Sequence, residues 1–117
     1  MQENITVACK GQIPQYRLRF VKEYIDDYLE QKLSLSELAA IAQLSPYYFC
    51  HAFKQSTGIS PYQYVIQQRV ERAKQLLMQG KMSIAEVAQT CGFTHQSHLN
   101  RHFKRITGVT PKTLLNS

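Results

Sequence analysis

Polar side chains that can contact nucleic acid recur at helical spacing near the end of the 117-residue chain. Four of them lie at i, i+3, i+4 and i+7, on one face of a helix: Ser97, Asn100, Arg101 and Lys104. Arginine can donate two hydrogen bonds to guanine, asparagine can pair with adenine, and lysine suits a phosphate. Gln96 can also pair with adenine, and Ser97 is short and adaptable. These residue types suit the base edges and phosphates of double-stranded DNA.

The opposite face of this helix carries Leu99, Phe103 and Ile106, which we expect to pack against a core. Earlier in the chain Phe49 and Phe53 occupy the equivalent apolar positions. The matching outward positions hold Tyr47, Cys50, His51 and Lys54. One polar stripe is typical of any solvated helix, whereas two stripes in register favour two DNA-contacting helices.

Both stripes lie in an internal duplication that relates residues 33–61 to residues 82–111. The offset is 49 at the start and 50 at the end, so the second copy has one extra residue, placed near His95 in the turn or first helical turn. The identical pairs are Ser34 with Ser83, Glu37 with Glu86, Ala39 with Ala88, Phe53 with Phe103, Lys54 with Lys104, Thr57 with Thr107, Gly58 with Gly108, and Pro61 with Pro111.

Each copy has the signals of a short helix, a tight turn and a second helix. An S-x-x-E capping box starts the short helix, and the second helix begins after Ser45 or Thr94, which we predict to be N-caps. It ends before Gly58 or Gly108. This is the helix-turn-helix arrangement. Gly92 suits the left-handed conformation of the turn, so Gln43 at that position predicts either mild strain or a different turn.

A long helix from Pro61 to Gln79 separates the copies, with Ser60 as its N-cap and Gly80 after its last residue. Its length is roughly 27 Å, close to the ~34 Å between successive major-groove faces of B-DNA. Its apolar positions include Ile66, Val70, Ala73 and Leu77, with Tyr62, Val65 and Leu76 alongside. An amphipathic helix is also predicted over residues 15–32.

The sequence therefore predicts an all-α fold of about seven helices, with two helix-turn-helix subdomains joined by a linker helix. The predicted divisions are a mobile tail or linker remnant over residues 1–13, a first subdomain over 14–60, the linker helix over 61–79 and a second subdomain over 80–117.

Charge is distributed unevenly along the chain, whose net charge is +6. Residues 1–45 carry five bases and six acids, whereas residues 46–117 carry nine bases and two acids. The basic part favours a polyanionic partner. No apolar run or signal peptide indicates a membrane, and three widely spaced cysteines indicate a reducing cytoplasm.

The sequence contains weaker signals for functions other than DNA binding. His98 and His102 have metal-pair spacing and Cys91 is near in sequence, but no H-E-x-x-H motif is present, so we expect intrahelical or phosphate contacts and no metal or cofactor. No nucleophile elbow, glycine-rich phosphate loop or carboxylate pair indicates an enzyme. RNA binding is less favoured because the phenylalanines read as core. A protein-interaction module is the remaining alternative, based on the acids of the first helix, Glu23, Asp26, Asp27 and Glu30.

Over residues 15–115 the chain resembles the DNA-binding domain of the AraC/XylS transcriptional activators. The matching residues are Leu38, Ala39, Ser45, Phe49, Phe53, Lys54, Thr57, Gly58, Ser60, Pro61, Arg69, Ala73, Leu76, Leu77, Ile84, Val87, Ala88, Gly92, Phe93, Leu99, Phe103, Lys104, Gly108 and Pro111. The resemblance implies two recognition helices in adjacent major-groove segments of double-stranded DNA, an activator role in the bacterial cytoplasm and nucleoid, and contact with RNA polymerase. We expect a monomer on DNA and no small-molecule ligand in this chain.

The expected contacts divide into two sets. The base-contacting set is Tyr47, Cys50 and His51 in the first copy and Gln96, Ser97, Asn100 and Arg101 in the second. The phosphate-contacting set is Ser45, Lys54, Thr94, Lys104 and Arg105. Such proteins often present arginine or glutamine where this chain has Cys50 and His51, so we expect the second helix-turn-helix to supply more specificity.

Overall fold

The computed structural model describes residues 13–116, in which every regular element is an α-helix. The helices are α1 (Gln15–Asp27), α2 (Leu35–Ala42), α3 (Pro46–Thr57), α4 (Pro61–Gln79), α5 (Ile84–Thr90), α6 (Gln96–Thr107) and α7 (Pro111–Leu115). The predicted all-α fold with two helix-turn-helix motifs and a long helix between them is confirmed.

The described chain forms two compact units. The first unit contains residues 13–28 and Leu33–Tyr64, and the second contains Leu29–Lys32 and residues 65–116. This division differs from the expected one because α4 contributes to both units and a four-residue loop after α1 belongs to the second. Most of the predicted tail, residues 1–12, lies outside the described residues. Ile13, its last residue, is buried, and its N–H donates to the Ser56 hydroxyl at 2.9 Å.

The first unit is built around apolar residues that recur at helical spacing on α1, α2 and α3. Buried members are Leu18, Val21, Ile25, Leu38, Ala39, Phe49 and Phe53. The rings of Phe49 and Phe53 lie 5.5 Å apart, and Phe53 contacts the Tyr64 ring edge-on at 5.7 Å. The packing fixes α3 and leaves its opposite face exposed.

The prediction that the first helix extends to Lys32 is wrong, because α1 ends at Asp27. Beyond it, the carbonyl oxygens of Leu29 and Gln31 accept hydrogen bonds from the Arg69 side chain, at 3.0 and 2.7 Å. A helical backbone would direct these carbonyls along its own axis. The apolar pattern of the sequence continues beyond the end of α1 because Leu29, in the loop that follows, is also buried.

The second unit has a core made by α4, α5 and α6. It contains Ile66, Val70, Ala73, Leu77, Val87, Ala88, Cys91, Phe93, Leu99 and Phe103, as predicted for the phenylalanines. Two apolar residues of the predicted helix faces are exposed: Tyr62, in the first unit, at 60%, and Ile106, in the second unit, at 37%. Each lies in a terminal turn of its helix, where the apolar face extends past the buried residues.

Candidate nucleic-acid interface

The same left-handed turn joins the two helices of each helix-turn-helix. Gln43 has φ 61° and Gly92 has φ 92°. After them, the N–H of Leu44 donates to the Ala39 carbonyl at 3.0 Å, and that of Phe93 donates to the Ala88 carbonyl at 2.9 Å. Of the two alternatives for the first turn, the structure has the strained one: the shape is kept although the residue is not glycine.

The N-caps of the short helices follow the predicted pattern with one difference. Ser83 and Glu86 form a complete capping box. Ser34 accepts from the Glu37 N–H at 3.1 Å, but the Glu37 carboxylate accepts a hydrogen bond from the Tyr24 hydroxyl of α1. Glu37, which the sequence pattern assigns to the capping box, therefore links α2 to α1 by a hydrogen bond instead.

The second helices of the two motifs, α3 and α6, are called here the recognition helices, and they begin differently. Ser45 is the N-cap of α3 and accepts a hydrogen bond from the Tyr48 N–H. The prediction that Thr94 caps α6 is wrong, because the N-cap is His95, whose side chain makes no capping bond. Leu44 and Phe93 correspond at an offset of 49, and Ser45 and His95 at an offset of 50. The extra residue of the second copy is therefore Thr94, in the turn.

The polar face of α6 has the arrangement predicted from its spacing. Gln96, Ser97, Arg101 and Lys104 are exposed, and Asn100 is half-buried. Opposite them, Leu99 and Phe103 are fully buried. An open depression of about 530 Å³, called here the α6 depression, is lined by Ser97, Asn100, Arg101, Lys104, Arg105 and Thr110. Two arginines and a lysine give this concavity a positive charge that suits an anionic polymer.

Thr110 was missed by the sequence reasoning, although a signal was available. It corresponds to Ser60 at the offset of 50 and caps α7 as Ser60 caps α4, in each case accepting a backbone N–H at 3.1 Å. Thr110, three residues after the end of α6, therefore lines the α6 depression while it caps α7.

The outward face of α3 is less basic. Tyr47 is 76% exposed, His51 and Lys54 are exposed, and Cys50 is half-buried. The rings of Tyr47 and His51 lie 5.5 Å apart, one helical turn from each other. Ser45 is exposed at the start of this face. All the first-copy residues predicted to contact DNA therefore lie at accessible or partly accessible positions, with one formal charge among them.

A cluster of rings packs under α6. The centroids of His98 and His102 are 4.8 Å apart, and Phe93 lies 5.6 Å from His98 and 6.2 Å from His102. Burial lowers the pKa of both histidines from 6.5, and the nearby Arg101 cation adds to the effect in each case. Burial raises the pKa of the Cys91 thiol to about 11. Within residues 13–116, no three histidine, cysteine or acidic side chains are grouped as metal ligands.

The His102 ring also contacts the end of α6, an intrahelical contact and thus one of the two kinds expected for the histidines. Its Nδ1 atom lies 3.0 Å from Nη2 of Arg105. Arg105 and Lys104 are both exposed in the last turns of the helix. Basic residues at this end are favoured by the helix dipole and can reach phosphates beside a groove-bound helix.

The fold and these faces define a class of protein: a double helix-turn-helix domain whose second helices carry exposed polar side chains. No helix within the described range is both long and apolar enough to cross a bilayer.

Comparison with known proteins identifies the family. A family model described as a helix-turn-helix domain matches residues 38–117. The probable transcriptional regulator LumQ of Photobacterium leiognathi is 35% identical over 95% of this chain and 45% of its own length. The arabinose operon regulatory protein of Escherichia coli is 39% identical over 81% of this chain and 33% of its own length. The chain thus spans less than half the length of these relatives.

The fold matches solved structures of the same type. The DNA-binding domain of AdpA, crystallised with a target DNA, has a TM-score of 0.80 and 34% identity, covering 86% of this chain and 90% of that one. The chain belongs to the AraC/XylS family of transcriptional regulators and is a DNA-binding domain of that family.

Proposed function

We propose that this domain recognises an asymmetric duplex site of about twenty base pairs as a monomer, through α3 and α6 in adjacent major-groove segments, and acts in an activator. The observation that carries the proposal is the presence of two equivalently built recognition helices with different outward residues. Because the two faces differ, a palindromic site is not required. The proposed place of action is the bacterial nucleoid.

The second helix-turn-helix is proposed to supply most of the specificity. Arg101 is exposed at the centre of the α6 face and can donate two hydrogen bonds to guanine O6 and N7. Asn100 and Gln96 are assigned to adenine edges, and Ser97 to an adaptable contact. On α3, Cys50 is a weak donor and the His51 imidazole has fewer hydrogen-bonding groups than an arginine, so fewer specific bonds are available.

Phosphate contacts are proposed to provide affinity on both helices. The assigned residues are Ser45, Lys54, Thr94, Lys104 and Arg105, all of which are exposed. If about five to eight phosphates are neutralised, the log–log dependence of affinity on salt has a slope of roughly minus 5 to minus 7. Such a slope is the signature of counterion release.

RNA polymerase is the proposed second partner, contacted through α1. On the face opposite its buried residues, α1 exposes Tyr16 at 60% and Phe20 at 59%, followed by the acids Glu23 and Asp27. Exposed aromatic residues beside charged ones are typical of protein interfaces. Loss of polymerase capture in Phe20→Ala, with DNA affinity unchanged, is the expected result; unchanged capture would remove α1 from the interface.

Selection of binding sites from random duplexes tests the proposal. We expect a consensus with two separated and dissimilar clusters of preferred bases, with the stronger preference in the cluster assigned to α6. A palindromic consensus would contradict monomeric recognition, and enrichment no greater than background would contradict sequence-specific binding by this domain.

A further inference from the structure

His102 is a buried polar residue on α6, whose other polar residues are exposed or half-buried. Its side chain is 8% exposed, and its Nδ1 atom lies 3.0 Å from Arg105 Nη2. Within the described part of the chain, its buried Nε2 atom has no hydrogen-bond partner. Burying a polar atom without a partner is unfavourable, so packing alone does not explain a histidine here.

The first copy shows that this helical position does not need a polar side chain. At the offset of 50, Ala52 on α3 corresponds to His102 and is also buried, at 5% exposure. Gln55 corresponds to Arg105 and is exposed. The second recognition helix thus has a histidine–arginine pair where the first has alanine and glutamine, within otherwise equivalent helices.

The chemistry of the two groups fixes the direction of their hydrogen bond. A guanidinium group only donates, so Nδ1 of His102 must accept, and the single ring proton must reside on Nε2. The ring is therefore neutral when the bond is formed. Burial lowers the His102 pKa, and the positive charges of Arg105 and Arg101 have the same effect, with His98 also contributing. These conditions maintain the accepting form of the ring.

We propose that His102 is a positioning residue that holds the Arg105 guanidinium at the rim of the α6 depression, where its remaining N–H groups contact a DNA phosphate. The inference rests on the proposed function, because it requires the α6 face to lie against duplex DNA. Arg105 has five N–H donors, so the bond to His102 leaves others for a phosphate. Fixing the long side chain in advance reduces the entropy lost on binding.

The neighbouring side chains of the α6 depression suit the same ligand. Lys104 and Arg105 are adjacent in sequence, and Thr110 also lines the depression, where its hydroxyl accepts from the Thr113 N–H and lies 2.9 Å from the Thr113 hydroxyl. A phosphate accepts hydrogen bonds from ammonium and guanidinium groups alike. Such a contact would strengthen binding to every sequence rather than to one.

A double-mutant cycle on a short mixed-sequence duplex tests the role of His102, with affinity measured over a range of salt concentrations. Arg105→Ala should reduce the log–log salt slope by about 0.9, the value for one phosphate. His102→Leu removes the acceptor of the Arg105 hydrogen bond. Like Arg105→Ala, it should weaken binding, by about three- to fivefold. In the Arg105→Ala background, His102→Leu should have no further effect.

His102→Asn provides the matched control because its amide oxygen can occupy the place of Nδ1. The affinity of the His102→Asn variant for the duplex should remain within about twofold of that of the unmodified domain. A purely structural role of His102 would not give this recovery relative to His102→Leu. Circular dichroism confirms that each variant is folded, and His102→Ala, which copies Ala52, replaces the leucine variant if that one unfolds.

Two results would overturn the positioning role: equal losses from His102→Leu with and without Arg105, or an unchanged salt slope in Arg105→Ala. These are distinct from failure of the proposed function, in which the unmodified domain would not bind the duplex in a salt-dependent manner.

Discussion

Arg69 donates from Nε to the carbonyl oxygen of Leu29 at 3.0 Å, and the same carbonyl faces Gly92. A Cβ atom added to Gly92 would lie 2.5 Å from that oxygen and 2.9 Å from Arg69 Nε. The loop after α1, the middle of α4 and the turn before α6 therefore meet within the second unit. The turn that orients the second recognition helix is packed directly on an arginine–carbonyl bond.

Gly92→Ala should destabilise the domain more than the same change at Gly108. Both glycines have φ near 90°, but a Cβ atom at Gly108 would meet nothing within 4 Å. We expect a loss of about 1 kcal/mol at Gly108, from conformation alone, and of about 2 to 3 kcal/mol or more at Gly92. Urea unfolding measures both. Equal losses would show that contact with Leu29 and Arg69 adds nothing.

Gln43→Gly should stabilise the first helix-turn-helix. Gln43 is exposed and has φ 61°, a conformation that costs a non-glycine residue about 1 kcal/mol. Part of the gain is offset by the greater freedom of glycine in the unfolded chain, so the expected increase is about 0.5 kcal/mol. Gln55→Gly, at an exposed position inside α3, is the control and should lose about 1 kcal/mol. A destabilised Gln43→Gly would mean that the turn carries no strain.

Stability should fall as the pH decreases through about 6.5. The folded-state pKa values of His98 and His102 are lowered, mainly by burial, so the unfolded chain binds protons that the folded chain does not. Their contribution is fully present above the unfolded pKa and is lost as pH falls toward the folded values. Thermal unfolding between about pH 5 and 8 checks this, and the combined His98→Gln and His102→Asn variant should show a weaker dependence. An equally steep dependence in that variant would assign the effect to other groups.

The sequence predicted the elements of this domain well because local signals and the duplication agreed. The capping serines, the glycines after Thr57 and Thr107, and the polar and apolar faces of α6 each follow from short-range rules. The repeat then supplied a second instance of each signal. The residues of the predicted outward stripe of α6 are exposed or half-buried, as this agreement of signals predicts.

The sequence did not predict features that depend on contacts between distant residues. The early end of α1 reflects carbonyls that bond to Arg69, forty positions after Leu29, and no periodicity encodes such a bond. The sequence predicts Thr94 as the N-cap of α6 because a threonine shortly before a helix is a capping signal, and nothing local distinguishes it from a threonine inserted in the turn. The His102 contact to Arg105 has favourable spacing, but its importance depends on the burial of His102, which arises only in the folded structure.

Comparison of Arg101→Ala with Lys104→Ala on a preferred and a scrambled duplex tests the central claim most directly, namely that α6 reads base sequence through its polar face. Arg101→Ala should lose about 1 to 3 kcal/mol on the preferred duplex and little on the scrambled one. Lys104→Ala should weaken binding to both equally and flatten the salt slope by about 0.9. An equal loss on both duplexes for Arg101→Ala would make Arg101 a phosphate contact and contradict base recognition by this residue.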